Sequence, residues 1–177
     1  MRPAIALFAS SRRHGNTGRL LDEITQRLAI DVVDLSEKKI SPFDYEHRNR
    51  GDDFEPLLRR VLTYDQIIFA SPVYWYAVSP PMKIFIDRIS DVLDLPELHE
   101  LGRRLRTKCT YVLCTSEDEV VHPSFLGAFR DTFEYLGMQF GGYIHASCPD
   151  GYVQGSCERD VAAFVERIKG HDPHAPV

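Results

Sequence analysis

Residues 4–17 read AIALFASSRRHGNT, an apolar run that gives way to small polar residues just before a helical pattern begins near Gly18. A buried strand that ends in hydroxyl, amide and glycine residues and then turns into a helix forms a cradle for an anion. The backbone N–H groups and the positive end of the helix dipole point at one place and stabilise negative charge there. We therefore interpret residues 10–17 as an anion-binding loop, and the expected ligand is a phosphate.

The composition of this loop leaves one alternative open and excludes two known motifs. Ser, Asn, Thr and Gly are also common before any helix because they cap its free N–H groups. Taken alone, the loop is therefore compatible with phosphate binding and with simple capping. It is not a P-loop, because no Gly-Lys-Ser/Thr sequence closes it. It is not the dinucleotide fingerprint either, because its only nearby glycines are Gly15 and Gly18.

The bulk composition is that of one ordinary globular domain. The chain has 177 residues, of which 44% are apolar and 27% are charged. A net charge of −5 without a basic stripe argues against a nucleic-acid partner. No apolar run approaches the roughly 20 residues that span a bilayer, so we expect no membrane partner and a cytoplasmic location. The four cysteines form no C-x-x-C pair, and no metal site is predicted.

Five short apolar runs predict strands that alternate with helices. They cover residues 4–9, 31–35, 66–70, 109–115 and 139–146. Because most of them lack clean polar alternation, both faces of the sheet are expected to be buried, as in a parallel sheet. Five such strands fit the flavodoxin-like order 2-1-3-4-5. We therefore predict an α/β fold, a single flavodoxin-like three-layer sandwich over residues 1–170 with helices on both faces. We expect residues 171–177 to form a disordered tail.

Two segments between these strands receive specific interpretations. Apolar residues recur at helical spacing from Met82 to Leu93, which predicts a continuous helix that begins at Pro80 and Pro81. Basic residues cluster at 103–108, beside the start of the fourth strand. We interpret that cluster as a solvated connector.

The loop after the third strand carries three adjacent aromatic residues, Tyr74, Trp75 and Tyr76, within the sequence SPVYWYAV at 71–78. Loops are mostly solvated, so such a cluster is unusual. It could pack on a neighbouring helix or a partner subunit, or it could form the flat wall that an isoalloxazine ring needs. In the flavodoxin-like order, flavin mononucleotide (FMN) lies at the switch point between strands 1 and 3. Both loops fall at that point, which favours the flavin interpretation.

These two motifs resemble those of the NAD(P)H-dependent FMN reductases. That family reads Gly-Ser-Pro-Arg, a short spacer and Gly-Asn-Thr, and residues 10–17 are similar to it. Residues 71–76, continuing through Pro81–Arg88, resemble its flavin-ring segment and following helix. The resemblance implies a flavodoxin-like fold, non-covalent FMN, NADPH or NADH as co-substrate, and a homodimer with the flavin near the subunit boundary.

The resemblance also assigns cofactor-binding residues. Four would hold the phosphate of FMN: Ser10, Arg12, Asn16 and Thr17. Four would line the ring and ribityl chain: Pro72, Val73, Tyr74 and Trp75. The loop after the fourth strand, Thr115-Ser116-Glu117-Asp118, would approach the ring from the other side, with Thr115 and Ser116 as its binding residues. The chain departs from the family where Glu117–Glu119 replaces a glycine-rich turn, and an acidic loop there should disfavour an anionic reduced ring or face away from it. Residues 41–47 contain no cysteine, so the iron–sulfur cluster of some relatives is not expected.

The activity implied by the resemblance is hydride transfer from a nicotinamide nucleotide through FMN to an electron-poor small molecule. Such acceptors include a quinone, a nitro or azo compound, or a free flavin. Because the cofactor supplies the chemistry, we predict no catalytic side chain. One alternative is a flavodoxin-type electron carrier that receives electrons from a protein partner, and another is a flavin-free binding scaffold. The paired arginines and the mild net charge favour the reductase.

Overall fold

Five parallel strands form a single sheet within residues 4–170, the part of the chain that the computed structural model describes. The strands are β1 (Ala4–Phe8), β2 (Ile30–Asp34), β3 (Gln66–Pro72), β4 (Cys109–Ser116) and β5 (Gln139–Ser147). Their order is β2-β1-β3-β4-β5, and every neighbouring pair is parallel. The flavodoxin-like order 2-1-3-4-5 is therefore confirmed. The predicted tail at 171–177 lies outside the described residues.

Helices cover both faces of this sheet. They are α1 (Asn16–Thr25), α2 (Phe54–Val61), α3 (Pro80–Arg88), α4 (Asp91–Asp94), α5 (His99–Leu105), α6 (Pro123–Tyr135) and α7 (Glu158–Lys169). Short 3₁₀ turns lie at Leu35–Glu37 and Pro96–Leu98. No helix between residues 4 and 170 is long and apolar enough to cross a membrane.

Two hydrophobic clusters lie on opposite sides of the sheet because side chains alternate along each strand. In β1, Ile5 and Leu7 pack with α2, α3 and α6, whereas Ala6 and Phe8 pack with α1 and α7. All four are completely buried. Both faces of the sheet are thus apolar, which explains why β1, β3 and β4 read as continuous apolar runs.

The helix predicted from Met82 to Leu93 is interrupted, so the expectation of one continuous helix was wrong. At Ile89 and Ser90 the backbone N–H groups bond three residues back, to Ile86 and Asp87, and not four. This tightening shifts the phase of the helix, and α4 restarts at Asp91. As a result Asp91 turns inward beside Arg88, whereas Leu93 turns toward solvent and is 44% exposed.

The basic cluster at 103–108 is not a simple connector either. Arg103 and Arg104 belong to α5, which packs through the buried side chains of Leu101 and Leu105. The helix has only seven residues, of which two are apolar leucines, so the apolar pattern was too brief to reveal it.

Candidate functional site

The loops that follow β1, β3 and β4 meet at the carboxyl edge of the sheet and enclose a cleft of about 380 Å³. That volume is within the range of small-molecule sites in proteins. All ten predicted site residues line it: Ser10, Arg12, Asn16, Thr17, Pro72, Val73, Tyr74, Trp75, Thr115 and Ser116. Four further residues line it beyond these ten: Gly15, Tyr76, Glu117 and Asp118.

The N-terminus of α1 opens onto this cleft without a protein cap. Gly15 is its N-cap residue, no side chain accepts a hydrogen bond there, and the first turn contains no acidic residue. The N–H groups of the first turn therefore remain available to an external anion. This argues against the alternative in which the Ser, Asn and Thr residues of the loop serve only as helix caps.

Gly18 allows the anion-binding loop to fold tightly over the first turn of α1. A Cβ atom at this position would lie 1.7 Å from the carbonyl oxygen of Arg13 and 2.8 Å from its carbonyl carbon. These are backbone atoms and cannot rotate away. The close approach of loop and helix therefore requires glycine at this position.

The two arginines of the loop point in different directions. Arg12 lines the cleft. The Nη2 of Arg13 donates to Asp22 Oδ1 at 2.7 Å, and its guanidinium carbon lies 5.3 Å from the ring centroid of Phe8. Arg13 is thus held against its own helix, and Arg12 is the arginine of the loop that faces the cleft.

Hydroxyl groups fasten the three loops to one another. The side chains of Thr17 and Thr115 share a buried hydrogen bond of 2.7 Å, which joins α1 to the end of β4. The Ser11 and Tyr74 hydroxyls lie 2.9 Å apart and join the anion loop to the aromatic loop. Ser79 donates from its side chain to the Ala9 carbonyl at 2.7 Å. The cleft is consequently built from loops that hold one another in place.

A fourth segment, after β5, also contacts the site. The Oδ1 atom of Asn16 accepts a hydrogen bond of 3.0 Å from the backbone N–H of Tyr152. This leaves the amide nitrogen of Asn16 as the donor that can face a ligand. Sequence reasoning missed the contact, although Pro149-Asp150-Gly151 marks a turn at the carboxyl end of β5, at the same edge of the sheet.

The aromatic loop forms a two-residue hairpin turn. Tyr74 and Ala77 exchange two backbone hydrogen bonds of 2.9 and 3.0 Å, and the central residues, Trp75 and Tyr76, have φ angles of +48° and +62°. Such turns favour Asn-Gly, because a bulky side chain at positive φ costs about 1–2 kcal/mol. Strained backbone of this kind concentrates at functional sites.

The two aromatic residues at the tip of this turn have different surroundings. The ring of Tyr76 lies 4.9 Å from that of His122, and its carbonyl accepts a bond of 3.0 Å from Ser124 Oγ at the start of α6. Trp75 has no such support and is 92% exposed. Packing on a neighbouring helix therefore accounts for Tyr76, whereas Trp75 remains free to contact a ligand or a partner.

The acidic loop after β4 faces the cleft in part. Glu117 and Asp118 line it, whereas Glu119 lines a second hollow beside β5 and α7. Below the loop, His145 Nε2 and Ser116 Oγ lie 2.7 Å apart. Burial lowers the pKa of His145, against the opposing influence of the Asp118 carboxylate.

Known proteins are similar to this chain over most of its length. The sequence profile of the family described as NADPH-dependent FMN reductase matches residues 3–152. The Bacillus subtilis protein YwqN, which is described as an NAD(P)H-dependent FMN-containing oxidoreductase, is 30% identical to this chain over 142 residues. The match covers 76% of this chain and 78% of YwqN.

Two solved structures have a similar fold. The Trp repressor binding protein from Bacillus subtilis aligns with a TM-score of 0.71 and 25% identity, covering 95% of this chain and 99% of that protein. The NAD(P)H:quinone oxidoreductase from Methanothermobacter marburgensis aligns with a TM-score of 0.72 and 18% identity, covering 99% of each chain.

Proposed function

The chain belongs to the NADPH-dependent FMN reductase family, and from that premise we propose that it passes hydride from NADPH or NADH through FMN to an electron-poor small molecule. Membership makes it an NAD(P)H-dependent FMN oxidoreductase. The acceptors we propose are a quinone, a nitro or azo compound, or a free flavin. The observation that carries the proposal is the meeting of an uncapped helix N-terminus and an aromatic turn in one cleft.

The residues at one side of the cleft fit the phosphate of FMN. The free N–H groups of α1, the Arg12 guanidinium and the hydroxyls of Ser10 and Thr17 are donors suited to a dianion. In this proposal they hold the phosphate together with the Asn16 amide. The hydrogen bond between Thr17 and Thr115 keeps one of these hydroxyls in position.

The residues of the β3 and β4 loops fit the ring and the ribityl chain. Pro72, Val73, Tyr74 and Trp75 supply a flat, largely apolar wall, and the β4 loop supplies Thr115 and Ser116 opposite to it. These loops bind and orient, and no side chain is assigned a catalytic role. When bound, FMN supplies the two-electron chemistry, so that the net reaction is NAD(P)H + H⁺ + quinone → NAD(P)⁺ + hydroquinone.

Two further parts of the proposal concern assembly and location. We propose a homodimer because the family resemblance implies one, and because Val120, which is 75% exposed, places an apolar side chain on the surface of the loop after β4. We propose the cytoplasm because Cys109, Cys114, Cys148 and Cys157 are all free thiols, as is usual in a reducing compartment.

The decisive experiment mixes the purified, FMN-loaded protein with NADPH or NADH under anaerobic conditions. We expect the visible flavin absorption to bleach rapidly with at least one nucleotide and to return when a quinone is added. Persistence of the oxidised spectrum with both nucleotides would instead support an electron carrier. A protein that gains no visible absorbance in the presence of FMN would contradict the assignment of the cleft.

A further inference from the structure

We propose that the preferred acceptor of this cleft is a planar compound with a positive charge, such as a quinone or azo dye that bears a quaternary ammonium group. Glu117 and Asp118 select it by charge, and the exposed indole of Trp75, which in the proposed function also borders the FMN ring, contacts its cationic group. This inference rests on the proposed function, because it concerns the acceptor that enters the same cleft.

The charge that lines the cleft is unevenly distributed. Arg12 lies in the anion loop, where the phosphate of the cofactor neutralises it. Glu117 and Asp118 follow β4, two strands away from β1 in the sheet. Neither carboxylate forms an ion pair with any residue between 4 and 170. The charge that an entering acceptor meets is therefore negative.

The acidic loop is held in place by its backbone. The Ser116 carbonyl accepts a hydrogen bond of 2.7 Å from the N–H of Cys148, and the Glu117 carbonyl accepts one of 3.3 Å from Ser147 Oγ. Both donors lie at the end of β5 or just beyond it. The two carboxylates are therefore attached to fixed backbone, and their field is present before an acceptor arrives.

The aromatic turn provides an independent indication of a cationic ligand. Trp75 lines the same cleft, is 92% exposed and has a φ of +48° within the turn that the two hydrogen bonds between Tyr74 and Ala77 close. Trp75 lines the same cleft as the two carboxylates, and proteins recognise organic cations through aromatic faces, of which tryptophan is the strongest. An anionic acceptor would gain nothing from either feature.

The kinetic test uses three 1,4-naphthoquinones that differ in charge. One is neutral with a 2-methyl group, one carries a trimethylammonium side chain, and one carries a sulfonate. Glu117→Gln/Asp118→Asn removes the attraction between two exposed carboxylates and the unit charge of the cationic acceptor. We therefore expect kcat/KM for that acceptor to fall about tenfold in this variant at low ionic strength. For the anionic acceptor, kcat/KM should rise by a similar factor. Comparing variant with wild type for each acceptor cancels its intrinsic reactivity.

The matched control removes the same charge elsewhere. Glu46→Gln/Glu134→Gln also changes the net charge by two, and both residues are exposed and absent from the lining of the cleft. It should leave the order of the three acceptors as in the wild type. High salt should weaken the preference of the wild type, because exposed charges are screened.

A second measurement detects the field without turnover. Trp75 is the only tryptophan of the chain, so its fluorescence reports the potential at the mouth of the cleft. In the apoprotein, where no flavin quenches the indole, Glu117→Gln/Asp118→Asn should make iodide a better quencher and caesium a poorer one, with neutral acrylamide as the reference.

The outcomes separate the two proposals. Absence of turnover with the neutral quinone would contradict the proposed function. Turnover of all three quinones with the same ratio in wild type and variant would contradict this inference alone, as would quenching by iodide and caesium that the variant leaves unchanged.

Discussion

At Arg12 and Arg13 two adjacent guanidinium groups take different directions, the first along the cleft and the second onto Asp22 and Phe8. We expect Arg12→Ala to weaken FMN binding by about 1.5–3 kcal/mol, because a hydrogen bond from a charged donor to phosphate is lost. That corresponds to a rise in Kd of roughly tenfold to a hundredfold. Titration of the apoprotein with FMN, followed by quenching of flavin fluorescence, measures it.

Arg13→Ala is the matched control for this measurement. Its ion pair with Asp22 is about one-third exposed, so the loss costs only about 0–1 kcal/mol in the free energy of unfolding. We expect its Kd for FMN to stay within about twofold of the wild type. Equal FMN affinity in wild type and Arg12→Ala would refute the role assigned to Arg12.

Gly18 allows a test of the anion loop by a single methyl group. Alanine normally stabilises a helix relative to glycine by about 1 kcal/mol, but at Gly18 the added Cβ would overlap the Arg13 carbonyl. We expect Gly18→Ala to lower the free energy of unfolding by about 1–3 kcal/mol and to weaken FMN binding. At Gly127, within α6, the nearest atom to an added Cβ lies 3.7 Å away, so Gly127→Ala should be neutral or stabilising. Urea denaturation of both variants decides, and equal effects would contradict the close packing.

At the scale of elements, the Trp75-Tyr76 turn has a strained backbone and exposes two aromatic side chains. Asn-Gly is the favoured pair for a turn with two positive φ angles. We therefore expect Trp75→Asn/Tyr76→Gly to raise the free energy of unfolding by about 1–2 kcal/mol, and to reduce FMN affinity and turnover. Thermal denaturation of the apoprotein measures the first effect. A variant less stable than the wild type would show that the contact between Tyr76 and His122 outweighs the backbone strain.

The elements also show what could be predicted from sequence and why the rest could not. Strands and their order followed from apolar runs, because β1, β3 and β4 are buried on both faces. Residues at the carboxyl ends of these strands were predictable for the same reason, since parallel strands bring them to one edge. The turn at Trp75-Tyr76 was not, because its backbone opposes the local preference of bulky residues. The change of helical phase at Ile89–Ser90 was not predictable either, because it accompanies the ion pair between Arg88 and Asp52, which are 36 residues apart in the sequence.

At the scale of the whole molecule, that ionic contact joins the long loop before α2 to α3 and α4. The Arg88 side chain is 2% exposed; it donates to Asp52 at 2.5 Å and to Asp91 at 2.8 Å. It also donates to the Ser41 carbonyl at 3.1 Å and lies 4.7 Å from the ring centroid of Phe54. Burial would raise the pKa of Asp52, but the hydrogen bond from Arg88 and two backbone N–H groups hold it below the usual value of 3.8. Asp52 therefore stabilises the fold above that pH, and this contribution is lost as the pH falls through the lowered pKa.

Replacing this buried cation should destabilise the fold strongly at neutral pH and less so in acid. In Arg88→Met the carboxylates of Asp52 and Asp91 lose their guanidinium partner, and only His47, 3.2 Å from Asp91, remains beside them. We therefore expect a loss of about 3–5 kcal/mol in the free energy of unfolding. Because unpaired buried carboxylates bind protons more readily, the gap to the wild type should narrow as the pH falls from 7 toward about 5. Urea denaturation across that range measures it, with Arg130→Met as the control, since Arg130 is exposed and lies 3.6 Å from Asp131. If the difference in the free energy of unfolding between wild type and Arg88→Met does not change with pH, packing against Phe54, and not charge pairing, accounts for the role of Arg88.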